Sequence, residues 1–142
     1  MSGSRRSDAL QRSVPMPDRP PLGSIVNPIL RLEGAAAATL ALLLYARADY
    51  SWLLFALLFL VPDLSMLGYV AGARVGAVIY NAVHTYVGPL LLAGAMLVTG
   101  ASLMLPLIWV AHIGLDRMLG YGLKYPTAFR DTHLGRIGKP RG

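Results

Sequence analysis

Five ionisable residues able to bind a metal or move a proton stand in stretches that are otherwise hydrocarbon: Glu33, Asp63, His84, His112 and Asp116, with Asn81 as a neutral companion. Imidazole nitrogen and carboxylate oxygen are ligand types that zinc accepts and that also suit iron or manganese. A carboxylate left over can orient a ligand or take a proton from water. His112 and Asp116 are four residues apart, and Asn81 and His84 three apart, so on helices each pair shares a face. We therefore expect His84, His112 and Asp116 to hold a divalent zinc, iron or manganese ion. Asp63 and Glu33 are the expected catalytic carboxylates, and Asn81, Tyr121, Lys124 and His133 the expected substrate contacts. The block "HIGLD" is only H-x3-D, a weaker pattern than a full H-E-x-x-H.

The elements that must position these groups read as membrane helices. Of 142 residues, 55% are hydrophobic and 14% charged, whereas about a quarter are charged in ordinary globular chains. Apolar segments cover 29–47, 52–71, 75–98 and 102–121, each close to the ~20 residues a spanning helix needs. The connections "RADYS", "GAR" and "TGA" are short, so successive helices should be antiparallel neighbours. The expected fold is all-α, an integral-membrane up-down bundle of four transmembrane helices. Pro62, Pro89 and Pro106 fall inside three segments, where each should kink its helix or open a polar gap. The absence of cysteine excludes disulfides, thiolate metal sites and cysteine nucleophiles.

Residues 1–27 carry Arg5, Arg6, Arg12, Arg19 and four prolines with no apolar run, which predicts a disordered basic tail and no signal peptide. The net charge of +6 is spread over ends and connections rather than an interleaved basic and aromatic patch, so nucleic acid is not the expected partner. The lipid bilayer is. The N-terminal tail, the connection with Arg74, and the C-terminal stretch with Lys124, Arg130, Arg136, Lys139 and Arg141 should lie on the cytoplasmic side of a bacterial inner membrane. Residues 122–142 are expected to form an interfacial tail in which Tyr125 and Phe129, with Tyr121 just before it, accompany the basic groups, and Asp131, Thr132 and His133 could fold back over the bundle.

Counting 1.5 Å per residue from the cytoplasmic end puts Glu33, Asp63, Asn81, His84, His112 and Asp116 between roughly 6 and 15 Å deep. The opposite halves of the same segments hold no ionisable group before Arg47. An ionisable group in a span is a functional candidate by default, and a shared depth predicts a polar pocket open to the cytoplasm. The leading reading is a metal-dependent enzyme, hydrolytic in its simplest form, on a lipid or other membrane-soluble substrate. A different class is a structural or interaction protein, in which Asp116 and Arg117 pair with Arg31 and Glu33 and the histidines lock helix packing. A third places His84 and His112 as axial ligands of haem, and a fourth is a proton relay.

The blocks "RLEG" at 31–34, "PDLSMLGY" at 62–69, "YNAVHTY" at 80–86, "HIGLDRMLGYGLKYP" at 112–126 and "FRDTHLGRIGK" at 129–139 resemble the bacterial membrane-protein family filed as domain of unknown function 4260, over about residues 29 to 139. The resemblance implies a small multi-pass membrane protein whose signature blocks include Glu33, Asp63, Asn81, His84, His112, Asp116 and His133. A much weaker likeness connects Pro62-Asp63, His84-Thr85 and His112 with Asp116 to membrane-bound metal-dependent hydrolases, whose first histidine has no counterpart before His84.

Overall fold

A computed structural model describes residues 23–138. Most of the expected N-terminal tail, residues 1–22, lies outside them. Helix α1 (Gly23–Arg47) starts ahead of the expected residue 29 and takes in Gly23 to Asn27. The Asn27 amide donates to the Leu134 carbonyl at 3.0 Å, tying this first part of the helix to the C-terminal segment.

Three stretches are long and apolar enough to cross a membrane: Val26–Arg47, Trp52–Ala71 and Ala73–Thr99. Their outward side chains are hydrocarbon in the open, with Leu53 70%, Leu91 71% and Val98 89% exposed. Soluble monomers rarely carry such continuous apolar surface, whereas lipid is a good solvent for it. The expected fourth segment is helix α5 (Met104–Leu119), 16 residues or about 24 Å long, against the ~30 Å of a hydrocarbon core.

The second segment departs from a single helix over 52–71. Helix α2 (Trp52–Phe59) stops at Leu60, and the chain continues as an 11-residue 3-10 helix, Val61–Ala71. Pro62 has no N–H to bond four residues back and its ring would crowd that carbonyl, which ends the α-helix. With three residues per turn, side chains three apart align in rows. Val61, Leu64, Leu67 and Val70 form the outward row, all exposed. Pro62 with Ser65 and Gly68, and Asp63 with Met66 and Tyr69, form the two inward rows, none of them exposed. The helix lies against α3 (Ala73–Val83), where the Tyr69 ring rests over Gly76 and leaves no room for a side chain.

The third segment is broken at 84–86, between α3 and α4 (Val87–Thr99). Pro89, in the first turn of α4, cannot continue a helix from behind, so the expected disruption occurs here. Carbonyls freed inside a bilayer must find donors. The Trp109 indole takes the Val83 carbonyl at 2.8 Å and the Arg117 guanidinium takes that of His84 at 2.9 Å. Pro106 does not kink its helix. It sits in the first turn of α5, where a missing N–H costs nothing.

Helix α5 is the centre of the bundle and packs most closely on α1. At the crossing a Cβ on Gly114 would come within 2.6 Å of the Gly34 carbonyl and 2.7 Å of the Ala38 nitrogen, so only glycine permits this approach. The helix ends at Gly120, whose φ of 94° lets the Tyr121 N–H return to the Asp116 carbonyl at 2.7 Å. The following segment is folded. Strands β1 (Asp131–Thr132) and β2 (Gly135–Arg136) pair antiparallel, and Lys124 bridges to Thr132.

Candidate metal centre

Four side chains from three elements converge. Asp63 comes from the start of the 3-10 helix, His84 from the break after α3, and His112 and Asp116 from one face of α5; one ligand atom of each lies within 4.8 Å of all the others. His84 Nε2 and His112 Nε2 are 3.2 Å apart. Asp63 Oδ1 is 3.5 Å from both nitrogens, and Asp116 Oδ2 is 3.6 Å from His84 Nε2 and 3.8 Å from His112 Nε2. Nitrogen to oxygen hydrogen bonds cluster near 2.9 Å, so the carboxylate distances are long for direct bonding. They suit the edges of a coordination tetrahedron. In a regular tetrahedron the edge is about 1.6 times the centre-to-corner distance, so the five edges of 3.2 to 3.8 Å that involve a histidine nitrogen are those of a centre with bonds of about 2.0 to 2.3 Å, the range of zinc bonds to imidazole and carboxylate.

The surroundings orient His84 and Asp116 as a metal site requires. His84 Nδ1 lies 3.0 Å from the Tyr80 carbonyl. A carbonyl only accepts, so Nδ1 carries the hydrogen and Nε2 turns its lone pair inward, the usual arrangement of a ligating histidine. The Tyr80 hydroxyl donates to Asp116 Oδ2 at 3.2 Å, and its ring stacks on His84 with centroids 3.7 Å apart. His112 Nδ1 is buried without a hydrogen-bond partner among the described residues, beside the edge-on Phe59 ring. Side-chain exposure is 2% for His84, 3% for His112, 18% for Asp116 and 30% for Asp63. Asp63 is the open corner.

Of the expected ligands, His84, His112 and Asp116 are brought together, and Asp63 joins them as a fourth corner rather than standing behind. Glu33 is exposed on α1 and lies outside the group. The expected pairing of Asp116 and Arg117 with Arg31 and Glu33 is absent among the described residues: Asp116 faces the histidines and Tyr80, and Arg117 serves the carbonyls of His84 and Tyr121. Axial haem ligation does not fit, because two iron–nitrogen bonds of ~2 Å on opposite faces need about 4 Å between the nitrogens, and these are 3.2 Å apart.

The expected substrate contacts divide. Asn81 spends its amide on the Lys124 backbone, donating to the carbonyl at 2.8 Å and accepting the N–H at 2.7 Å. His133 accepts the Leu123 N–H at Nδ1, 2.8 Å away, and so braces the same segment. Burial, and then the charge of Arg117, push its proton affinity below the ordinary histidine value. Tyr121 is exposed. Lys124 is buried with its ammonium over the rings of Tyr80 and Phe129, and burial lowers its pKa. Tyr80 and Ser65 were not expected at the site. The Tyr80 to His84 spacing of four residues was the available signal, since it places the two on one helix face.

The sequence model of the family described as "Domain of unknown function (DUF4260)" matches residues 27–137. No curated protein and no solved structure matches the chain.

Proposed function

The chain belongs to the family described as a domain of unknown function (DUF4260), and from the geometry of its four converging side chains we propose a metal-dependent membrane hydrolase acting on a membrane-soluble substrate. The observation that carries this reading is the convergence of two Nε2 and two carboxylate oxygens, all within 4.8 Å of one another and with every nitrogen–nitrogen and nitrogen–oxygen separation between 3.2 and 3.8 Å. Two nitrogens and two oxygens at such separations favour zinc over the more highly coordinated manganese and iron. Such an ion supplies Lewis acidity, making water a nucleophile near neutral pH and polarising an ester or phosphoryl oxygen.

The residues divide the work by burial. His84, His112 and Asp116 would be the permanent ligands, held by the Tyr80 carbonyl, the α5 backbone and the Tyr80 hydroxyl. Asp63, the most exposed corner, would be the residue to yield its position to substrate and to accept a proton from water. A cavity of about 450 Å³ lies beside the site: Ser65, whose hydroxyl is 3.5 Å from His84 Nδ1, lines it together with Val61, Pro62 and apolar side chains of α2, α3, α4 and α5. It suits a hydrocarbon chain. In this reading α5 and the folded C-terminal segment complete a four-span bundle in a bacterial inner membrane. Arg74, Lys124, Arg130 and Arg136 mark its cytoplasmic side, with both termini there.

A second reading rests on the completeness of the ligand set, since structural zinc sites have four protein ligands and catalytic ones keep a position open. There the ion only staples the 3-10 helix to α3 and α5. Elemental mass spectrometry of the detergent-purified protein tests both. Near-stoichiometric zinc, lost in His84→Ala/His112→Ala, is the expected result, and no metal after reconstitution would end both readings. Lipid-ester hydrolysis that disappears in Asp63→Asn with zinc retained separates the enzyme from the staple.

A further inference from the structure

Lys124 is the charged group that the metal centre leaves unused. Only 4% of the residue is exposed, and its ammonium rests 4.2 Å from the Phe129 ring centroid and 5.0 Å from that of Tyr80. Among the described residues no carboxylate pairs with it. Its backbone is clamped on both sides by the Asn81 amide, so the charge is held in place. Two aromatic faces compensate a buried ammonium only in part. With a divalent ion between them, Asp63 and Asp116 are neutralised and offer it little attraction. The position calls for an external anion.

The surroundings say which anion. Tyr80 joins Lys124 to the centre: its ring stacks at 3.7 Å on His84 and lies 5.0 Å from the ammonium, which is therefore at most about 9 Å from the His84 imidazole. Arg31, beside Gly120, and Arg130, beside Gly138, sit at the same end of the molecule. Along α5 the order is therefore a basic end at Gly120, the four-ligand centre at Asp116 and His112, within about 9 Å of Lys124, and then the apolar cavity at Ile108 and Leu105. A glycerophospholipid has the same order of phosphate, ester and acyl chain, and lies in the bilayer in the same direction.

We infer that Lys124 binds the phosphate of a glycerophospholipid whose ester reaches the four-ligand centre and whose acyl chain enters the cavity beside Ser65. The inference rests on the hydrolase reading for the fate of that lipid, which it names as the substrate class. Hydrolysis consumes one water: the acyl C–O bond breaks, the water oxygen joins the acyl carbon to give a carboxylic acid, and a proton passes to the glycerol oxygen to give a lysophospholipid.

The test uses the full chain, loaded with zinc, in mixed micelles containing phosphatidylglycerol, diacylglycerol or added inorganic phosphate, with retained lipid read by native mass spectrometry and zinc by elemental analysis. The wild type should retain phosphatidylglycerol. Lys124→Met, which fills the aromatic slot without charge, should lose about tenfold or more of that retention, while Lys124→Arg keeps it and zinc content is unchanged in both. Equal retention in wild type and Lys124→Met overturns the inference, as does equal retention of diacylglycerol. Lys124-dependent binding of inorganic phosphate without retained lipid assigns the site to a soluble phosphate and also overturns it. Lys124-dependent lipid in a protein that takes up no zinc upholds the phosphate site and removes the hydrolase.

Discussion

His84 Nε2 and His112 Nε2 face each other at 3.2 Å, and the lone pair of the first is set by the hydrogen its Nδ1 gives to the Tyr80 carbonyl. One proton on His112 could bridge that single edge. It would leave both carboxylates 3.5 Å or more from either nitrogen, two negative groups beside the same pair of buried rings. Like charges so placed repel strongly unless a cation lies among them.

Tyr80→Phe tests the support of this centre. The variant keeps the ring stacked on His84 and removes the hydroxyl that donates to Asp116 Oδ2 at 3.2 Å. Loss of such support typically lowers metal affinity about 10- to 100-fold. Competition against a zinc-chelating dye should show that drop with helix content unchanged, and unaltered affinity would count against Asp116 as a ligand.

Gly114→Ala acts on the scaffold. The added carbon meets backbone of α1 at 2.6 and 2.7 Å, and two backbones cannot step aside as a side chain tip does. We expect a loss of about 1 to 3 kcal/mol, seen as a lower midpoint of unfolding in detergent. Zinc content should fall with it, because α5 carries both His112 and Asp116. A variant as stable as the wild type would mean that the helices are not this close.

The candidate site was legible in the sequence because depth can be counted and only a few groups share it. Asp63, His84, His112 and Asp116 were all recovered in this way. Azimuth is harder to read. Glu33 lies at a suitable depth but immediately precedes Gly34, the residue that faces α5, and one residue turns a helix by about 100°, enough to carry its carboxylate outward. The change from α-helix to 3-10 helix ahead of Pro62 was missed although its mark is present: Val61, Leu64, Leu67 and Val70 recur every third residue, a period that neither an α-helix nor a strand produces. The aromatics and basic residues of 122–142 suggest an interfacial tail, but not that it folds into a hairpin. Its hairpin depends on bonds to Asn27 and Asn81, which are distant in sequence and carry no local pattern.

Asn81→Ala should free the C-terminal segment. It removes both hydrogen bonds to the Lys124 backbone, and each group left buried and unpaired costs about 1 to 3 kcal/mol. Hydrogen exchange should accelerate over residues 121–134 while the spans stay protected. Protection unchanged in that segment would show that the clamp is not what holds it.

Acid should loosen the same segment through His133. Burial and Arg117 hold its folded-state pKa below the ordinary 6.5, so the unfolded segment binds a proton first as pH falls. The stabilisation from the neutral ring is full above 6.5 and is lost as pH drops through the lower folded value. Protonation also occupies the nitrogen that accepts the Leu123 N–H. Protease nicking of residues 121–134 should rise on acidification in the wild type, and the step should vanish in His133→Gln. A wild type equally resistant at both ends of that range would contradict it.

The 3-10 helix behaves like a reading frame. Because its rows repeat every three residues, removing one residue between Asp63 and Gly68 turns everything on one side of the deletion by about 120° relative to the other. With Gly68 held by Ile79 and Tyr69 by Gly76, it is Asp63 that would swing, out of the centre and into lipid. Removing three residues at once restores the facing and only shortens the span. Substitution along the outward row should therefore be tolerated, whereas a change of length by one or two residues should be as disabling as losing the carboxylate itself.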